Sequence, residues 1–271
     1  MPVTGARGFS LVDLLISVVL LGLLATLSVR MLLGLGRILR AGQERAGIET
    51  GLDVALGYLG SELVDAGPGD LQQVAPDSLG YRAPRLTGFT CRITPTEIQV
   101  GSDRLFQLRL PQAGRDSVLL YLGRRSARGL PSDWLALPLL GVSPSSCAGR
   151  PALTLMTTID SAVLGRAILP AMAPVRTFEV MQVRLYRSLG SWWFGARSIS
   201  AGEGIQPLAG PFDTTGGRFE FRDSAGALTN QPQTVRGIRA SLGGQAIGWT
   251  SPSVPQAVSG SLRLAPANLR P

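Results

Sequence analysis

Histidine and lysine are both missing from this 271-residue chain, and cysteine occurs only twice. Without histidine there is no Ser-His-Asp or Cys-His catalysis, no HExxH zinc site and no imidazole general base. Two cysteines are too few for a structural zinc site. Paired carboxylates are the remaining tool, and the Asp and Glu residues are scattered without a motif around them. These absences remove the commonest catalytic tools without excluding an enzyme; the chain is read as a non-enzyme, with no catalytic residue, cofactor or metal assigned.

All the positive charge is arginine, a usage that fits a GC-rich genome, so the absence of lysine is given no functional weight. The formal charge is +8 and the isoelectric point about 10.8. A solvated basic surface explains this; attraction to acidic lipid, nucleic acid or an acidic subunit is the sharper alternative. Arg124, Arg125 and Arg128 cluster beside Gly and Ser in what reads as a loop. A solvated loop is preferred there to a DNA-binding patch, because no aromatic residues interleave with the arginines.

What is present points to one domain of ordinary size with an appendage, or to two small domains. The 34 glycines and 19 prolines favour a β-rich body with many turns over a helical bundle. The amino terminus is different. From Leu14 to Val29 no charge occurs, and counting from Phe9 the apolar run is about 21 residues, a bilayer's thickness as a helix. A secretory signal peptide fits poorly, since the run is too long and no good small-residue cleavage site follows it. A plain single-pass anchor fits the length but leaves Asp13 unexplained, and a carboxylate at the edge of a membrane helix is a functional residue by default.

No proline occurs between Pro2 and Pro68. Ile48, Leu52, Ala55, Leu59, Leu63 and Ala66 recur at spacings of three and four, which predicts one apolar helical stripe. Gly67-Pro68-Gly69 then supplies a stop. The spacing predicts a helix from Phe9 to Ala66, roughly 85 Å long if unbroken, with eight glycines that favour curvature or local melting. Beyond it, Glu97–Val100, Leu105–Leu110, Ser117–Leu122, Thr177–Tyr186, Trp192–Ile199, Gly217–Phe221 and Thr234–Leu242 read as strands of an antiparallel meander. Phe219, Phe221, Ile238 and Leu242 are expected in its core. Trp192 and Trp193, adjacent in a strand, are expected to face opposite sides, one in the core and one as a subunit contact.

The run Gly8-Phe9-Ser10-Leu11-Val12-Asp13-Leu14-Leu15 resembles the processing motif of type IV prepilins and of type II secretion pseudopilins. Phe219–Gly226 with Val235–Leu242 is similar to the closing hairpin of PilW-type minor pilins and J-type pseudopilins, and Ser61–Gly67 to their helix end. The resemblance implies cleavage between Gly8 and Phe9 by a prepilin peptidase and N-methylation of Phe9 by the same peptidase/methyltransferase. It also implies an assembly role for Asp13, whose carboxylate would pair with the amino terminus of a neighbouring subunit. The family residue is nearly always Glu, so Asp13 is one methylene short. Arg30, Arg37, Arg40 and Arg45 follow the apolar run against Arg7 before it, so a simple positive-inside count favours the opposite orientation.

The fold implied is α+β: a long N-terminal α-helix, half membrane and half amphipathic, packed on a mainly antiparallel β-sheet head. The parts would be a leader (1–8), a transmembrane or filament-core helix (9–30), an amphipathic helix (31–67) and a periplasmic head (68–271). Partners implied are other pilin or pseudopilin subunits, the processing enzyme and inner-membrane lipid. In a periplasmic head, Cys91 and Cys147 are expected to form a disulfide, with two buried free thiols as the alternative. A membrane-anchored periplasmic binding protein or enzyme is the competing reading of the whole chain. Residues 71–170 match nothing in the family pattern.

Overall fold

An uninterrupted, largely apolar sequence without proline forms α1 (Leu11–Leu63), a single helix of 53 residues. The computed structural model describes residues 11–67, 69–122, 134–166, 172–212, 217–247 and 255–264. Gly8 and Phe9, and the arginines 124, 125 and 128, lie outside the described residues. The chain divides into two units, one of residues 1–49 with 245–258 and the other of 50–244 with 259–271. The helix supplies residues to both.

In the first unit, every large apolar side chain of α1 from Leu11 to Leu39 is exposed. The most apolar stretch has a mean hydropathy of 2.4, so by length and composition the helix can cross a bilayer. In the second unit the predicted stripe is buried: Leu52, Ala55, Leu59 and Leu63 are each at most 4% exposed. The helix runs without interruption through its glycines, so the local melting they favour is not seen. Its end comes three residues before the expected Ala66. There the Gly67 amide donates to Asp70 Oδ2 at 2.7 Å, and the Asp70 amide returns a bond to the Gly67 carbonyl at 3.0 Å. Buried Asp70 also receives Arg176 at 3.4 Å, which fixes the stop to the sheet.

The strands are β1 (Leu71–Ala75), β2 (Ser78–Ile93), β3 (Glu97–Gly101), β4 (Phe106–Gln107), β5 (Asp116–Tyr121), β6 (Trp134–Pro138), β7 (Gly141–Cys147) and β8 (Arg150–Met156). After a short helix α2 (Ser161–Arg166) come β9 (Pro174–Ser188), β10 (Ser191–Ser198), β11 (Gln206–Phe212), β12 (Arg218–Arg222), β13 (Gly237–Ile247) and β14 (Pro255–Leu264). The main sheet runs β11-β10-β9-β2-β3-β8-β7, with β1, β4, β5 and β6 joined at its sides, and β12-β13-β14 form a second sheet. All pairings with a resolved register are antiparallel. The fold is α+β.

The main sheet is not the meander the sequence suggests. Its centre is β2 against β9, two strands distant in sequence, paired from Ser78 opposite Arg184 to Phe89 opposite Pro174. The strand β2 escapes sequence reading because Gly80, Pro84 and Gly88 interrupt its alternation. Proline survives in a central strand only at a bulge, and the register indeed shifts between Pro84 and Leu86. The expected strand Leu105–Leu110 is paired only at Phe106 and Gln107, and the last one begins at Gly237 rather than Thr234. Phe219, Phe221, Ile238 and Leu242 are buried as expected. A separate apolar core gathers Ile98, Val100, Val118, Leu120, Leu137, Leu155 and Val175.

Candidate functional site

The bulge in β2 decides where Arg85 points. An extra residue in one strand bends it and re-aims a side chain, and Arg85, between Pro84 and Leu86, is that residue. Its guanidinium is carried under the last turn of α1. There it donates from Nε to Glu179 Oε2 at 2.9 Å and from NH1 to both oxygens of Glu62 at 3.3 Å. One arginine thus ties the helix to the central strand of the sheet.

Asp116 on β5 lies directly opposite Glu179 on β9, and both side chains are buried. Two carboxylates facing each other across a ladder repel, so cations must intervene. Arg109 bridges them, with a two-pronged contact to Asp116 at 2.7 Å and a third bond to Glu179 at 2.9 Å. Arg115 reaches Glu179 at 2.5 Å and Glu203 at 2.8 Å. Three guanidinium groups therefore face four carboxylates, those of Glu62, Asp116, Glu179 and Glu203.

Burial by itself would raise the pKa of Glu179. The Ser198 hydroxyl, Arg109 and Arg85 outweigh it and hold the carboxyl at about 2, below its ordinary 4.5. The Tyr81 hydroxyl, which donates to Glu62 Oε2 at 3.4 Å, is pushed well above the usual tyrosine range by burial and then by the Glu62 charge. A carboxylate this acidic, locked by three arginines, is neither a proton donor nor a useful base near neutral pH. The cluster joins elements. An open cavity of about 390 Å³ beside it is lined by Ser61, Leu108 and Met181 along with the charged groups. The separate identities of these residues gave no motif, because their proximity is created by the β2 bulge and by strand pairings distant in sequence.

Asp13 sits in the first turn of α1 on an exposed surface, and no described residue partners its carboxylate. Cys91 on β2 and Cys147 on β7 form a disulfide with Cα atoms 6.4 Å apart, closing strands that β3 and β8 separate in the ladder. Trp192 and Trp193 do not divide into one core and one surface residue. Both are half-buried, and the fully buried aromatic of β10 is Phe194, packed edge-on against Tyr58 of α1. The Trp193 indole lies over Gly210, where a Cβ would come within 2.9 Å of the ring. Among the described residues no group of His, Cys, Asp or Glu is placed to hold a metal ion.

No protein-family profile, curated protein or solved structure matches the chain.

Proposed function

We propose that the chain is a subunit of a type IV pilin-like filament: a minor pilin or pseudopilin that helps to initiate or tip a pilus or a type II secretion pseudopilus. Before assembly it is held in the inner membrane by α1, with its head in the periplasm. A prepilin peptidase cuts between Gly8 and Phe9, and Phe9 is N-methylated. The role is structural and not catalytic.

One observation carries this reading. A single helix is apolar and exposed through its first half, buried along one stripe in its second, and holds a carboxylate in its first turn. An anchor alone has no use for Asp13. In an apolar surrounding that carboxylate is costly unless a cation meets it. A neighbouring subunit's amino terminus supplies one only on assembly, so the charge makes insertion between subunits favourable. The Glu62–Arg85–Glu179 contact suits the same role, because force on the helix reaches the central strand of the head through buried ion pairs.

Replacing Asp13 with alanine tests the assembly step. The variant's head keeps its fold and its disulfide, while its recovery in sheared filaments or secretion-dependent pseudopili falls to background. Incorporation at the unaltered level would count against the pairing.

A further inference from the structure

Past its uncharged run, α1 stays exposed but changes character. No charge occurs from Leu14 to Val29, and then Arg30, Arg37 and Arg40 follow within about three turns of helix. All three are exposed, and no described residue pairs with any of them. Glu44, the nearest acidic residue along the helix, makes no ion pair with them. Arg45 differs, because it meets Glu49 at 2.8 Å. Ala41 is buried, so the exposed stretch closes at Arg40.

The three arginines share one side. At about 100° per residue, Arg30, Arg37 and Arg40 fall within an arc of about 80°. Met31, Leu32, Leu35, Ile38 and Leu39 cover about 120° of the far side at that same spacing, and they are 48–78% exposed. Leu33 alone among the aliphatics lies among the arginines. A helix with one basic and one aliphatic arc suits the plane of a membrane interface. Length agrees with this. The apolar surface from Leu11 to Leu39 is about 43 Å long at 1.5 Å per residue, against a hydrocarbon core of about 30 Å. A span longer than the core tilts. Tilt lays the aliphatic arc on the acyl chains, while the arginine stems reach up to the phosphates.

We infer that residues 30–40 of α1 form an interfacial segment that holds the helix at a tilt by binding anionic phospholipid headgroups through Arg30, Arg37 and Arg40. Charge selects this occupant. A zwitterionic headgroup neutralises its own phosphate; an anionic one leaves that charge to be met, and the guanidinium fork suits phosphate oxygens. Attraction to an anionic surface is about fivefold per arginine. In the proposed orientation these arginines lie on the periplasmic side, against the usual bias of cations to the cytoplasm, and lipid binding gives them a cause. The inference rests on the membrane insertion and orientation proposed above, and not on leader cleavage or assembly.

The test uses the full-length chain in vesicles of equal phosphatidylcholine and phosphatidylglycerol, with a trace of one lipid or the other spin-labelled. Electron paramagnetic resonance reads how strongly each lipid is held at the protein. The expected result is a preference of at least about fivefold for phosphatidylglycerol, falling to parity when Arg30→Gln, Arg37→Gln and Arg40→Gln are combined. Removing the neutral pair with Arg45→Gln and Glu49→Gln should leave the preference unchanged. A chain that resists alkaline extraction from the vesicles yet shows no preference would overturn this inference alone. One that is extracted from every vesicle would overturn membrane insertion along with it. A preference that survives the triple change, or that the Arg45 and Glu49 changes abolish equally, contradicts the assignment to these arginines. Loss of the preference in inorganic phosphate, but not in chloride of equal ionic strength, contradicts the lipid and points to a free anion instead.

Discussion

Replacing Glu179 with glutamine preserves volume and removes charge, leaving Arg85, Arg109 and Arg115 around a neutral amide. Breaking a buried ion-pair network by removing one partner costs about 3–5 kcal/mol, so the variant should lose that much stability in a urea titration followed by tryptophan fluorescence. A change below about 1 kcal/mol would mean that the arginines are served by solvent. Leu189 predicts the opposite sign. Its φ is 50° in the turn from β9 to β10. Asparagine accepts positive φ readily, so Leu189→Asn should stabilise the hairpin by about 1 kcal/mol, read as a shift of the urea midpoint. At this scale little was legible in advance. The types of Glu179, Arg85 and Arg109 are visible in the sequence, but a bulge and three strand pairings bring them together. The tryptophan pair misled for a related reason. Alternation assigns faces to neighbours, but Gly210 lets Trp193 lie flat against the backbone, and Phe194 takes the core position instead.

Among the elements, the sheet is where the acid response belongs. Glu179 has a folded pKa of about 2 against an ordinary 4.5. Its stabilisation is therefore complete above pH 4.5 and lost as pH falls through 2. The loss amounts to on the order of 3 kcal/mol at 1.4 kcal/mol per pH unit. Thermal unfolding of the head should be flat from pH 7 to 5 and fall below pH 4.5, and Glu179→Gln should remove much of that slope. The disulfide joins β2 to β7 across a sequence separation of 56. Replacing both cysteines with serine should cost about 4 kcal/mol on the chain-entropy account, measured as a shift of the urea midpoint in the reduced-free chain. The helix was the most legible element, because its stripe is local and unbroken: Leu52, Ala55, Leu59 and Leu63 are buried as their spacing predicts. Strand β2 was the least legible. Its prolines and glycines hide the alternation, and its register is set by β9, almost a hundred residues later in the chain.

At the scale of the whole molecule, a helix that is apolar and exposed in its first half is fastened in its second half to a β head by the Glu62–Arg85–Glu179 ion pairs. Within the first unit the large apolar residues from Leu11 to Leu39 are exposed. On the proposed reading, membrane lipid would cover them before assembly and other subunits afterwards. Composition and local periodicity made the helix legible; the ladder order and the charged cluster depend on contacts distant in sequence. The central claim is that the amino terminus is cut and modified. The most direct test is an intact-mass measurement of the chain recovered from cells that carry a prepilin peptidase. The account predicts a mature protein beginning at Phe9 and heavier by one methyl group, and a chain that still begins at Met1, or one cut after the apolar segment, would contradict it.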